Sequence, residues 1–164
     1  MVIDNFGLGG DNMELAQRLL DLIAEGRLIV HAELFADVTM ANRRSPLANL
    51  QDTAEGLGAM NRHGSRVELD PYMLAALIYL AENNVAGVMT INTMAGTTGH
   101  VGGATDPHAL GFAVDIQGAN YTVNGVANTV IVQRLLDAGF ILYRGYEGYL
   151  GMHHHLHLSV WNGR

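Results

Sequence analysis

The chain contains no cysteine and no lysine, and only 15% of its 164 residues are charged. Without cysteine, disulfides and thiolate ligands are excluded, so a bound metal would depend on histidine nitrogen and carboxylate oxygen. Although 49% of the residues are hydrophobic, no apolar run reaches the length of about eighteen residues that a membrane helix requires. We therefore expect a soluble protein without a membrane span.

The charge balance is acidic, with a formal net charge of −7 and no visible basic patch. Affinity for a phosphate backbone comes largely from lysine and arginine, so a nucleic-acid partner is not expected. The length suits one ordinary domain with a core and is too short for two. We interpret residues 1–164 as a single domain, with a helical N-terminal part at about 11–84 and a motif-bearing part at about 88–161.

Helix signals are concentrated in the first half of the chain. Three segments begin with a capping side chain and continue with apolar residues at helical spacing or in a long apolar run. A fourth apolar segment ends at a glycine, which is typical of a helix end. These signals predict helices that begin after Asp11, Ser45 and Asp70 and around Val130, and that end near Gly26, Leu57, Asn83 and Gly139.

Strand signals are found mostly in the second half of the chain. Short apolar or alternating segments predict strands at 28–34, 85–94, 112–116, 141–143 and 156–160. A glycine-rich segment, 95–105, lacks a phosphate-binding fingerprint and is predicted to form a flexible rim. Because helices come early and strands mostly late, we expect an α+β domain with helices packed on one face of a largely antiparallel sheet.

Two segments, 108–116 and 153–158, combine metal-ligating residues with strand-like alternation. Side chains two residues apart share one face of a strand. Asp115 therefore shares a face with Gly111 and Ala113, which leave room over the backbone for an ion and a substrate. In the second segment His153, His155 and His157 share one face. The opposite face of each segment is apolar, with Phe112, Val114 and Ile116 in the first segment and Leu156 and Leu158 in the second.

The ligand count matches a catalytic zinc site, which usually has three protein ligands and one open position for water. His108, Asp115 and His157 supply two imidazole nitrogens and one carboxylate. The sequence therefore predicts that these three residues hold Zn²⁺.

The pattern His-x-x-Gly-x-Ala-x-Asp, followed downstream by His-x-His before an apolar strand, resembles a known family. It is similar to the zinc peptidases grouped with lysostaphin, the D-alanyl-D-alanine carboxypeptidases and dipeptidases, and the hedgehog signalling domain. In that family the first His, the Asp and the last His hold zinc. The resemblance, which covers under half of the chain, implies that His108, Asp115 and His157 are ligands and that His155 is the catalytic residue beside the bound water.

The sequence departs from the family pattern at two points, one of which concerns the branch of the family and the other the catalytic activity. The dipeptidase branch has a Glu three residues before its last ligand, where this chain has His154, so the carboxypeptidase branch, with His155 as base, is the better match. Many carboxypeptidases also carry an arginine upstream of the first His, and residues 88–94 contain none. The candidates to replace it are Arg62, Arg66, His100 and Arg144.

The resemblance implies a zinc-dependent peptidase that hydrolyses peptidoglycan peptides, as a D-Ala-type carboxypeptidase or an endopeptidase. The partner would be a peptide substrate, and we expect a monomer. Residues 1–7 lack the pattern of a signal peptide, so export to the cell wall is expected to depend on another factor. Two alternatives are a catalytically inactive, zinc-stabilised peptide-binding module, which the missing arginine favours, and a metallohydrolase that acts on a non-peptide amide.

Overall fold

The computed structural model describes residues 11–33, 38–85, 87–96, 106–117, 126–142 and 156–161. Within them the chain forms an α+β fold, as predicted. None of the described helices has the length and apolar character needed to cross a bilayer. In chain order the elements are α1 Asn12–Ala24, β1 Ile29–Val30, α2 Pro46–Ala54, β2 Ala59–Met60, β3 Arg66–Val67, α3 Pro71–Glu82, β4 Thr90–Thr93, β5 Ala113–Gln117, α4 Val126–Asp137, β6 Ile141–Leu142 and β7 Leu156–Trp161.

The first three helices begin at the predicted caps. The side chains of Asp11, Ser45 and Asp70 each accept a hydrogen bond from a backbone N–H of the first helical turn. Such a cap satisfies a donor that the helix itself leaves unpaired and contributes about 1 kcal/mol. The helix α4 begins at Val126, four residues before the predicted start, and ends before Gly139, whose φ of 94° favours glycine.

Five strands form one mixed sheet in the order β1-β4-β5-β7-β6. β1 pairs with β4 in parallel, and the other neighbours are antiparallel. The predicted strands at 28–34 and 85–94 were too long, because only Ile29–Val30 and Thr90–Thr93 are strand residues within the described parts of those segments. The small hairpin β2-β3 was not predicted.

The helices cover one face of the sheet and form the core with it. Val114 and Ile116 of β5 and Leu156 and Leu158 of β7 are fully buried there. They belong to the same cluster as the apolar residues of α3, which is buried on nearly all sides. Each such aliphatic side chain contributes about 1.5–3 kcal/mol when it is removed from water. The residues that alternate with them on β5 and β7 face away from the helices.

A buried carboxylate joins α2 to the segments on either side of it. Asp52 is 3% exposed and accepts hydrogen bonds of 2.6 Å from Arg43 and 2.7 Å from Arg66. Burial alone would raise the pKa of Asp52, but the hydrogen bonds and charges of the two arginines outweigh it. The pKa of Asp52 therefore lies below its ordinary value of 3.8.

We predict that Asp52→Asn lowers the free energy of unfolding at neutral pH by about 1–3 kcal/mol, since the charge-assisted hydrogen bonds from Arg43 and Arg66 are weakened. A carboxyl whose folded pKa is depressed stabilises the fold above its unfolded pKa, and this contribution is lost as the pH falls through the folded value. Urea unfolding should show a larger wild-type advantage at about pH 7 than at about pH 3. Asp21→Asn, on the exposed side of α1, is the matched control, and an equal effect of both substitutions would contradict the prediction.

Candidate metal centre

Three predicted ligands meet at one point of the structure. The distance between His108 Nε2 and His157 Nδ1 is 3.1 Å, and Asp115 Oδ1 lies 3.3 Å from the first nitrogen and 3.0 Å from the second. The three side chains are almost fully buried. Sequence segments 42 or more residues apart therefore supply one compact group of ligand atoms.

Strand register places two of the ligands next to each other. Asp115 on β5 lies directly opposite His157 on β7. Because their neighbours Val114, Ile116, Leu156 and Leu158 point into the core, both polar side chains must point to the opposite face of the sheet. Over the described residues of β5 and β7, core-facing apolar side chains therefore alternate with side chains of the opposite face, as the sequence predicted.

The third candidate ligand, His108, lies in a tight turn before β5. The carboxylate of Asp106 accepts a hydrogen bond of 3.1 Å from the backbone N–H of His108. The N–H of Gly111 donates to the carbonyl of His108, and the carbonyl of Ala109 accepts from the side chain of Asn61. The turn is thus held both by its own hydrogen bonds and by the β2-β3 hairpin.

The motif glycine is required by the backbone at this turn. Gly111 has a φ of 90°, which disfavours other residues, and a Cβ at this position would lie 2.3 Å from the carbonyl oxygen of Glu68. From the sequence, Gly111 was predicted to leave room for an ion and a substrate. Its position shows a different reason for glycine, namely the close approach of the segment that leads into α3.

Each of the three candidate ligands also has a hydrogen-bond partner that orients it. His108 Nδ1 is 3.1 Å from the carbonyl oxygen of Met94, which can only accept, so the neutral ring carries its proton on Nδ1 and presents the lone pair of Nε2. Asp115 Oδ2 accepts a bond of 2.7 Å from the hydroxyl of Thr93. His157 Nε2 is 3.0 Å from Ser159 Oγ. Sequence reasoning missed these three partners.

The geometry suits a tetrahedral metal. With metal–ligand distances near 2.0–2.1 Å, neighbouring ligand atoms of a tetrahedral zinc site lie about 3.3 Å apart, and the three separations here are close to that value. Two imidazole nitrogens and one carboxylate oxygen form the donor set. These residues can hold a metal ion.

Ser159, His157 and Asp115 also follow the order hydroxyl, imidazole, carboxylate of a serine hydrolase triad. Two observations argue against that role. Ser159 is only 6% exposed, and His108 Nε2 lies 3.1 Å from the same His157 nitrogen that a triad reserves for its carboxylate. We therefore assign Ser159 to the orientation of the His157 ring.

Several sequence-predicted residues lie outside the described part of the chain: His100, Arg144, His153, His154 and the predicted catalytic residue His155. Of the remaining arginine candidates, Arg66 is paired with Asp52. Arg62 contacts residues next to the site. Its backbone N–H donates to the carbonyl of Ala95, and its guanidinium lies 3.5 Å from the Asp106 carboxylate.

Comparison of the chain with protein-family models, curated proteins and solved structures found no match. The arrangement of the site and the sequence motifs are therefore the only basis for a proposal about function.

We predict that the purified protein binds about one equivalent of zinc and that His108→Ala and His157→Ala remove this binding, since two ligands rarely hold zinc. Zinc at 100 times its dissociation constant should stabilise the wild type by about 2.7 kcal/mol. Metal analysis after dialysis and thermal unfolding with and without zinc measure both effects. His31→Ala, outside the ligand group, is the control and should behave as wild type, and zinc retained by both ligand variants would contradict the assignment.

Gly111→Ala should destabilise the fold and weaken zinc binding, because it strains the backbone and forces the His108 turn away from Glu68. Gly26→Ala is the matched control, since Gly26 also has a positive φ but open space around its Cβ position. The control should lose only about 1–2 kcal/mol, the cost of a left-handed conformation. Urea unfolding and zinc titration test this, and equal losses in both variants would refute the role of the Glu68 contact.

Proposed function

We propose that the protein is a zinc-dependent peptidase that hydrolyses peptidoglycan peptides, as a D-Ala-type carboxypeptidase or endopeptidase. The observation that carries the proposal is the convergence of His108 Nε2, Asp115 Oδ1 and His157 Nδ1 at separations of 3.0–3.3 Å. The same three residues are the ligands that the family resemblance implies. Chain order and geometry thus support the same ligand set.

Zinc is the metal that best suits these donors. A set of two imidazoles and one carboxylate is common in catalytic zinc sites, whereas magnesium and calcium prefer oxygen ligands. The Met94 carbonyl and the Thr93 hydroxyl orient two of the three ligands, as is typical of zinc sites. Three protein ligands leave a fourth position for water or substrate.

The proposed reaction is hydrolysis of an amide bond by water. When bound, zinc lowers the pKa of a water molecule to about 7 and polarises a carbonyl oxygen. His155, the first residue of the His-x-His pair, takes a proton from the attacking water. The water oxygen bonds to the carbonyl carbon, the C–N bond breaks, and the proton passes to the leaving amine. A histidine suits this exchange because its side chain titrates near neutral pH.

Arg62 is our candidate for the missing upstream arginine. It contacts Ala95 through its backbone and Asp106 through its side chain, and these residues adjoin the supports of His108. A guanidinium recognises a carboxylate by paired hydrogen bonds, which suits the free end of a substrate peptide. In this role the guanidinium of Arg62 would exchange its ion pair with Asp106 for one with the substrate carboxylate.

The test is digestion of purified peptidoglycan, with products analysed by mass spectrometry. The zinc-loaded wild type should release D-alanine or crosslink fragments, whereas His155→Ala should abolish cleavage while zinc remains bound. His108→Ala should lose both zinc and cleavage. If the zinc-loaded wild type cleaves none of several wall types, the peptidase proposal fails.

The alternative is a zinc-stabilised module that binds peptides without cleaving them, and residues 88–94, which lack an arginine, are the observation in its favour. In that case the wild type and His155→Ala should bind a wall peptide equally and neither should cleave it. A metallohydrolase of the third class would instead cleave small non-peptide amides and leave walls intact.

A further inference from the structure

The structure points to a specific task for Thr93, and we propose that it is a positioning residue that fixes the orientation of the Asp115 carboxylate, so that only one of its oxygens faces the metal. This proposal depends on the metal site of the proposed function and not on the peptidase reaction. It begins from the hydrogen bond of 2.7 Å that the Thr93 hydroxyl donates to Asp115 Oδ2. Thr93 is itself only 4% exposed, so water competes little for this bond.

Sheet register makes the contact a built feature of the fold. Thr93 on β4 lies opposite Asp115 on β5, and the register between β4 and β5 shifts between Ile91 and Thr93. Thr93, Asp115 and His157 therefore form one row across three neighbouring strands. The row joins a hydroxyl donor, a carboxylate and an imidazole in that order.

The two oxygens of Asp115 consequently have different tasks. Oδ2 accepts the Thr93 hydroxyl, and Oδ1 lies 3.0 Å from His157 Nδ1 and 3.3 Å from His108 Nε2. A carboxylate held in this way offers one oxygen to the ion, which preserves the open fourth position that zinc chemistry needs. Without the hydroxyl, the carboxylate is able to rotate about its last bond, and Oδ2 is then available to the ion as well.

The next residue strengthens the interpretation, because the Met94 carbonyl is 3.1 Å from His108 Nδ1. The end of β4 thus contacts two ligands from one side, one by a side chain and one by the backbone. Only the Thr93 contact depends on residue identity and is open to a clean substitution.

The test compares metal affinity in three variants, measured by competition between the protein and a chelator for zinc or cobalt(II) alone. Thr93→Val keeps the shape of the side chain and removes the hydroxyl, and the affinity should fall by about 10- to 100-fold, as is usual when a partner of a metal ligand is lost. Thr93→Ser retains a hydroxyl and should bind metal nearly as tightly as the wild type. Cobalt(II) absorption of the saturated proteins should change in Thr93→Val and not in Thr93→Ser.

The matched control is Thr53→Val, since Thr53 is a buried residue of α2 whose hydroxyl has no hydrogen-bond partner among the described residues. Its metal affinity should equal that of the wild type. Thermal unfolding of the metal-free proteins shows whether each variant folds, and Thr93→Ala replaces Thr93→Val if the latter does not. Wild-type affinity in Thr93→Val, or an equal loss in Thr93→Val and Thr93→Ser, would overturn the proposal.

The role of Thr93 and the peptidase activity fail in different experiments. If the wild type binds no metal, the assignment of the metal centre fails, and the role of Thr93 fails with it. If it binds metal but does not cleave peptidoglycan, the assignment of Thr93 is still tested by affinity alone.

Discussion

The site depends on one constraint, the register of β5 against β7. Asp115 and His157 are direct partners across these strands, and their neighbours are fixed in the core on the other face. A slip of one residue would turn every side chain of β7 to the opposite face, so the aliphatic residues would be exposed and the imidazole would be buried among apolar groups. The energy that packs Leu156 and Leu158 is therefore also the energy that holds His157 beside the carboxylate.

The other elements of the site adapt to this pair. The turn at 106–111 brings His108 to the same point, and it is held against the β2-β3 hairpin and the start of α3 through Asn61 and Gly111. The end of β4 completes the arrangement from the other side, through Thr93 and Met94. Two imidazoles and a carboxylate are costly to bury unless their polar atoms have hydrogen-bond partners. Thr93 and Met94 supply such partners to the Asp115 oxygen and the His108 nitrogen that do not face the other candidate ligands.

The features that could be predicted depend on residue type and spacing. The pattern of His108, Asp115 and His157 predicted a group that the structure does bring together and that could hold a metal ion, and the caps at Asp11, Ser45 and Asp70 are local signals. It missed Thr93 because only the pairing of β4 with β5 brings Thr93 to Asp115. The Met94 carbonyl was missed because every residue has a carbonyl. Ser159 was accessible in principle, since it shares a face of the same strand with His157.

Strand length and the small hairpin were also beyond local signals. The predicted strand at 85–94 was inferred from its apolar residues, but a strand extends only as far as a neighbour pairs with it. β5 pairs with Thr90–Thr93 and β1 with only two residues of β4. Strands as short as β2 and β3 are defined by the contacts around them. The catalytic role of His155 stays a prediction, because His155 lies outside the described residues.

The order of strands in the sheet has a consequence for assembly. β7 is the last described strand in the sequence, yet it lies between β5 and β6 in space. The pairing is non-local, and such pairings generally form late in folding because a long loop must close first. The ligand group is therefore completed only when β7 pairs with β5, so uptake of a cation would report the formation of this non-local pairing.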